Sequence, residues 1–220
     1  MQSQATGTNA RSQSAGGVKS DLMPRGERSS ILRAVTTPQI AALVYFILSR
    51  LAYVLFVGIS LRREERSRIS TQRHGKAEAF RRFRRTASIV MNHDGFAFVL
   101  LCVVTRDTWH LPLATSLTFA IGAVLALIGI GIKLWAARTL GGNAYYWHNF
   151  FDPDEAIGPV ATGPYRFISS PMYTIGYLPT YGLALITRSL PGLIASVFAQ
   201  TAILVFHAVV EKPHFERLHR

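Results

Sequence analysis

The residues whose types and spacing suggest chemistry lie in the last third of the sequence. They form the run Gly163-Pro164-Tyr165-Arg166-Phe167-Ile168-Ser169-Ser170-Pro171-Met172-Tyr173, followed by Gly176, Gly182, His207 and Glu211-Lys212-Pro213. Tyr165 and Tyr173 offer aromatic faces to a cation, at about 0.5–2 kcal/mol per cation–π contact. Gly176 and Gly182 let backbone come close to a ligand. Glu211 is suited to pairing with an ammonium, a strong charge-assisted bond when partly buried. His207 lies four residues before Glu211, so on a helix the two share a face and either could take a proton from an acceptor. Singly, each residue has a structural explanation: interfacial tyrosines, helix-packing glycines, a glutamate where a helix leaves the membrane. Their order in one run is what favours a site.

Other chemistries find no support. No Gly-rich phosphate loop follows a strand pattern, no Ser or Cys has a nucleophile's setting, and the histidines lack metal-ligand spacing, so no metal is expected. The single cysteine, Cys102, lies in an apolar run and makes neither a disulfide framework nor a cysteine zinc site within one chain. A formal charge of +12 could suggest nucleic acid. The basic residues instead flank apolar runs, which positive-inside membrane topology explains, so no nucleic-acid partner is expected.

The elements that must hold the run are membrane helices. Of 220 residues, 49% are hydrophobic and 16% charged, and uncharged runs of bilayer length alternate with short basic stretches. The pattern predicts an all-α polytopic integral membrane protein with about five transmembrane helices, the last two forming a helical hairpin. The predicted spans are Ile40–Ser60, Ala87–Thr105, Leu111–Ile132, Pro171–Thr187 and Ser189–Val210. Arg50 in the first should face protein or water, and Asn92, His93 and Asp94 open the second. Pro179 should kink the fourth. Residues 1–39 read as a disordered polar tail, and 40–220 as a single membrane domain whose pocket is formed mainly by 140–220. The stretch 61–86, rich in arginine, reads as a cytoplasmic loop able to meet anionic lipid headgroups. Taking that loop as inside puts residues 133–170 and the segment after Glu211 on the cytoplasmic side too.

The Gly163–Tyr173 run resembles the membrane methyltransferases that include phospholipid N-methyltransferases and isoprenylcysteine carboxyl methyltransferases. The family pattern is a Gly-x-Tyr turn, a polar residue before Pro-x-Tyr, a glycine-bearing hairpin and a Glu-rich end to the next helix. The match covers about Leu140–Arg220, with Gly163, Tyr165, Pro171, Tyr173 and Gly182 in place. The resemblance implies S-adenosylmethionine as cofactor, held by Gly163, Tyr165, Ser170, Pro171, Tyr173, Gly176, Gly182 and Glu211. It implies a membrane lipid or lipid-linked substrate, with Glu211 and His207 as catalytic candidates. Pro171-Met172-Tyr173 with Gly182-Leu183-Ala184-Leu185 is closer to the phospholipid branch, which favours N-methylation of a phospholipid amine. Ser170 departs from the family's usual His or Asn, Ile175 stands where the first hairpin glycine is expected, and Glu211-Lys212 replaces paired acids. The alternatives are isoprenylcysteine carboxyl O-methylation, a nicotinamide-dependent membrane reductase, and a non-catalytic member of the scaffold.

Overall fold

The structure, a computed structural model, describes residues 36–110, 112–154 and 160–218. Most of the predicted polar tail therefore lies outside the described residues. The first helix, α1 (Thr37–Ser67), starts inside the stretch assigned to that tail, with Pro38 in its first turn and Gln39 closing a capping box on Thr36. Then come α2 (Ile69–His74), α3 (Lys76–Val104), α4 (Thr115–Tyr145), α5 (Leu178–Ile186), α6 (Leu190–Phe206) and α7 (Lys212–Leu218). No strand occurs among the described residues.

Four helical stretches, 37–67, 76–104, 115–150 and 190–218, are long and apolar enough to cross a membrane. At 31 residues, α1 is about 46 Å long at roughly 1.5 Å per residue. That exceeds a hydrocarbon core of about 30 Å, so its basic end projects beyond the core. The outward faces are apolar: Leu48, Ile59 and Leu127 are 61%, 62% and 71% exposed. Such faces suit lipid, and the all-α polytopic membrane reading stands.

The predicted cytoplasmic loop at 61–86 is helical almost throughout, because its Arg, Glu, Gln, Lys and Ala residues are good helix formers. Two residues with positive φ interrupt it, Arg68 at 51° and Gly75 at 78°. Across the first break, Glu64 is buried and its carboxylate accepts the Ser70 and Thr71 N–H groups at 3.1 and 3.0 Å. It thereby caps the otherwise orphaned donors at the start of α2. Beyond the second, Glu78 pairs with Arg81 and Arg82 along α3.

The predicted fourth span differs most from expectation. Only nine residues of it form α-helix, α5, about 14 Å long and under half of the core thickness. Pro179 falls in the first turn of α5 rather than kinking a longer helix. Its missing N–H costs nothing there, since that donor would have no helical acceptor. Upstream, the chain passes through 3₁₀ turns at Gly163–Arg166 and Ile175–Tyr177. Irregular backbone at membrane depth needs protein partners, and Gln200 of α6 supplies one, donating to the Tyr173 and Thr174 carbonyls at 3.1 and 3.3 Å. The predicted hairpin is present: α5 and α6 are joined through Thr187, Arg188 and Ser189, and the Ser189 hydroxyl caps α6 by accepting the Gly192 N–H at 2.8 Å.

Lipid tails give no hydrophobic drive between helices, so close packing and polar contacts hold the bundle. On α4, Gly122, Ala126 and Gly129 face α5. A Cβ on Gly182 would lie 2.4 Å from the Gly122 carbonyl oxygen, and one on Gly129 would lie 2.3 Å from Pro179 Cδ. α3 packs on α1 and α6 through Phe46, Phe83, Leu101 and Ile203. The one cation inside the first predicted span is paired: Arg50 meets Asp94 of α3 at 2.6 Å and donates to the Tyr177 hydroxyl at 3.1 Å. This pair is the protein-facing arrangement expected of Arg50.

The two ends of the bundle are closed by different contacts. At one end, Glu65 of α1 meets His214 and Arg217 of α7, and Lys76 of α3 reaches Asp152 and Asp154. At the other, the Thr187 and Arg188 carbonyls accept the Asp107 and Trp109 N–H groups. The arginine-rich stretch and the residues after α4 share the first end.

Candidate functional site

At the arginine-rich end, the π-helical turn His207–Glu211 links α6 to α7, its opening marked by a bond from the Lys212 N–H to the His207 carbonyl five residues back. Such widened turns recur at functional sites. It turns His207 and Glu211 into a cavity of about 240 Å³, also lined by Tyr145, Trp147, Tyr165, Ser170 and Tyr173.

Glu211 is the centre of the wall. It is 4% exposed, and its Oε1 accepts from the Trp147 indole N–H and from the Tyr173 hydroxyl, the latter at 2.6 Å. Its Oε2 lies 2.5 Å from His207 Nδ1. A tryptophan nitrogen only donates and an ionised carboxylate only accepts, so these contacts together suit the charged form of Glu211. Where Oε2 accepts from Nδ1, the neutral ring carries its lone pair on Nε2. The Ser170 hydroxyl lies 3.1 Å from that nitrogen. The result is a hydrogen-bonded chain from Ser170 through His207 to Glu211, with an imidazole nitrogen at the cavity and a buried carboxylate behind it.

Local folding accounts for each position. Trp147 has a positive φ of 59°, rare for a bulky residue and a feature of over-determined functional positions. Its ring is held by Phe83 and Phe206 at centroid distances of 6.3 and 5.6 Å. Gly163 also has positive φ, and a Cβ there would lie 2.6 Å from Thr139 Oγ1, so only glycine fits the turn that delivers Tyr165. The Tyr165 hydroxyl is buried without a hydrogen-bond partner. Burial, and next the charge of Glu211, push its pKa up, so it remains a donor at neutral pH.

Of the residues singled out in the sequence, Tyr165, Ser170, Tyr173, His207 and Glu211 come together around the cavity. Gly163, Pro171, Gly176 and Gly182 do not line it. Pro171 is fully buried, and its carbonyl accepts the Gly176 N–H at 2.8 Å, so both shape the turn before α5. Gly182 lies in the α4–α5 contact, where the closeness of Gly122 explains the glycine without a ligand. Trp147 and Asn149 were missed: the aromatic run at 145–151 reads as a membrane-interface belt, and nothing in the sequence marks the indole that reaches Glu211.

The cavity lies in the segment that is similar to known proteins. A family model described as phospholipid methyltransferase matches residues 117–220. A phosphatidylethanolamine N-methyltransferase of Pyricularia oryzae is 33% identical over 138 residues, covering 61% of this chain and 14% of the relative. One from Clavispora lusitaniae is 31% identical over 148 residues, covering 62% and 17%. One from Saccharomyces cerevisiae is 40% identical over 97 residues, covering 44% and 11%. The chain thus matches under a fifth of the length of these relatives. No solved structure matches it. Residues 117–220, which hold the cavity wall, are thus similar to the phospholipid methyltransferases, the likeness that the Gly163–Tyr173 run also carries.

Proposed function

We propose that this protein is a methyltransferase that moves a methyl group from S-adenosylmethionine to the amine of a membrane phospholipid. The observation that carries the reading is the Ser170–His207–Glu211 chain facing a cavity inside the segment that matches the phospholipid methyltransferases. The cavity residues fit the donor. Tyr165 and Tyr173 offer aromatic faces to its cationic sulfur, and the unpartnered Tyr165 hydroxyl offers a hydrogen bond to one of its polar groups. Glu211 uses three acceptor positions, and a carboxylate has about four, so Oε2 retains one for an ammonium.

When bound, the sulfonium supplies an electrophilic methyl group and leaves as a neutral thioether. The acceptor amine must lose a proton before its lone pair can attack that carbon. His207 Nε2 takes this proton, either directly or through the Ser170 hydroxyl, and Glu211 orients the ring and stabilises the imidazolium. A carboxylate acceptor would need no base, so the chain supports the amine over the prenylated cysteine. Much of the acceleration comes from aligning donor and acceptor between the tyrosines with water excluded.

The cavity shares its end of the bundle with Arg62, Arg63, Arg66, Arg81, Arg82, Arg84 and Arg85, which supports a cytoplasmic site by the positive-inside rule. Arg81, Arg84 and Arg85 form a groove with Ile89 and His93, a surface suited to anionic lipid headgroups.

The test is calorimetric titration of S-adenosylmethionine into detergent-purified protein, followed by transfer of labelled methyl groups into phosphatidylethanolamine vesicles. Saturable binding and label on the lipid amine are expected. No binding by folded protein would overturn the donor assignment. Label on a prenylated cysteine peptide but not on the amine lipid would overturn the acceptor.

A further inference from the structure

Beside the donor cavity lies a smaller one of about 40 Å³ that shares four residues of its wall: Tyr145, Trp147, Met172 and Tyr173. Its remaining lining comes from Tyr53, Met91, Lys133, Tyr177 and Ile203. Lys133 lies 18 residues past Thr115 at the start of α4, so its Cα is about 27 Å along the helix. With a hydrocarbon core of roughly 30 Å, the ammonium can reach the phosphate level at the cavity end of the bundle by snorkelling.

Charge around this lysine does not balance. Arg50 and Asp94 form a buried pair at 2.6 Å, and Tyr177 links it to Lys133, its hydroxyl accepting from Arg50 and its ring lying under the Lys133 ammonium. Two cations and one anion leave the cluster at net +1. Among the described residues Lys133 forms no ion pair, and its ammonium rests 5.9 Å from the Tyr177 ring centroid. The Arg50 pair is itself incompletely bonded, since Arg50 Nε and Asp94 Oδ1 are buried without partners.

The approach to Lys133 is lateral. At the arginine-rich end, Arg84 of α3 covers the ring of Tyr146 at 5.1 Å, and the Tyr146 hydroxyl donates to Ser88 Oγ at 3.3 Å. Along the rest of their length α3 leans on α1 and α4 on α5, with no more than isolated contacts between them. Met91 on α3 and the exposed Lys133 on α4 flank this gap. The small cavity that Met91 and Lys133 line shares Tyr145, Trp147, Met172 and Tyr173 with the wall of the larger one.

We propose that Lys133 receives the phosphodiester of the acceptor phospholipid, which enters between α3 and α4 and passes its amine along the shared wall toward His207. This rests on the phospholipid-amine reading above and adds the residue that selects a phosphate-bearing lipid. A phosphodiester carries one negative charge and neutralises the cluster. The headgroup amine lies only a short ethylene link away, which matches two adjoining cavities with a common wall.

The test compares Lys133→Gln and Lys133→Arg with the parent protein in mixed micelles, with the mole fraction of phosphatidylethanolamine varied. Calorimetry of S-adenosylmethionine binding checks that each variant is folded. Lys133→Gln should raise the KM for the lipid by about tenfold to a hundredfold, the range for one lost charge-assisted hydrogen bond. Donor affinity should stay within twofold, and Lys133→Arg should recover most of the loss. A long-chain primary amine without phosphate should be methylated equally by the parent and Lys133→Gln. An unchanged lipid KM in Lys133→Gln, or an equal rise for the phosphate-free amine, would overturn the proposal. Failure of the parent protein to methylate either acceptor would overturn the proposed function instead.

Discussion

Replacing Glu211 with glutamine tests the tautomer argument, because it preserves size while changing which atoms donate. In the parent protein, Oε1 accepts from Trp147 and Tyr173 and Oε2 accepts from His207 Nδ1. In Glu211→Gln the amide oxygen must keep the Trp147 and Tyr173 side, since both of those groups donate there. The amide NH2 then faces Nδ1, which has to become the acceptor, and the ring proton moves to Nε2. His207 thus presents an N–H to Ser170 and the cavity where a lone pair is needed. Loss of a positioned general base costs about 10²- to 10⁴-fold in rate, so kcat should fall within that range while the KM for the lipid moves little. Donor affinity should fall more modestly, by about tenfold, for one weakened charge-assisted contact. Single-turnover methyl transfer at saturating donor separates the effects. A kcat within twofold of the parent, with donor binding alone impaired, would refute the base assignment and leave Glu211 as a binding residue only.

Breaking the Arg50–Asp94 pair by Asp94→Asn should destabilise the protein by about 3–5 kcal/mol, because Arg50 is left buried and uncompensated; thermal unfolding in detergent measures it, and a loss under about 1 kcal/mol would count against a closed pair. Gly182→Val should unfold or loosen the bundle, since even a Cβ would lie 2.4 Å from the Gly122 carbonyl oxygen; normal thermal stability would refute the α4–α5 contact. Tyr165 has a raised pKa, from burial first and Glu211 second, so its protonated form is favoured in the fold. Its contribution to stability is complete below the unfolded value of about 10 and is lost as pH rises above it toward the folded value. Tyr165→Phe should therefore flatten the alkaline fall in melting temperature, and an unchanged slope would contradict the burial of that hydroxyl.

The sequence made the membrane helices legible because bilayer length and charge placement are strong constraints, met by α1, α3, α4 and α6. Arg50 and Asp94 stood out as ionisable residues within apolar runs, although their separation in sequence hid the fact that they pair. The fourth predicted span was less legible: Pro171–Thr187 has an apolar composition, and composition does not distinguish a full helix from 3₁₀ turns whose carbonyls are satisfied by Gln200. The same limit applies to the site. Tyr165, Ser170, Tyr173, His207 and Glu211 were marked by their order, whereas Trp147 owes its place to a left-handed backbone position, and a single sequence carries no signal for that. Gly182 shows the opposite error, since conformational freedom near a predicted pocket serves helix packing equally well.

Ser170 is where the local departure and the geometry bear on each other. The family pattern usually places His or Asn before Pro-x-Tyr, and a side chain of that length would extend further from the same backbone. Serine is short, so its hydroxyl instead meets His207 Nε2 at 3.1 Å, the ring nitrogen that faces away from Glu211. The hydroxyl can pass a proton on because it both donates and accepts. In the proposed reaction, the polar function at this position thus passes from one longer side chain to the Ser170–His207 pair, whose second member lies on the π-helical turn after α6. Both parts depend on irregular backbone, the turns before α5 and the widened turn after α6. The non-helical half of the predicted span is therefore what brings Ser170 and Tyr173 to the cavity wall beside His207.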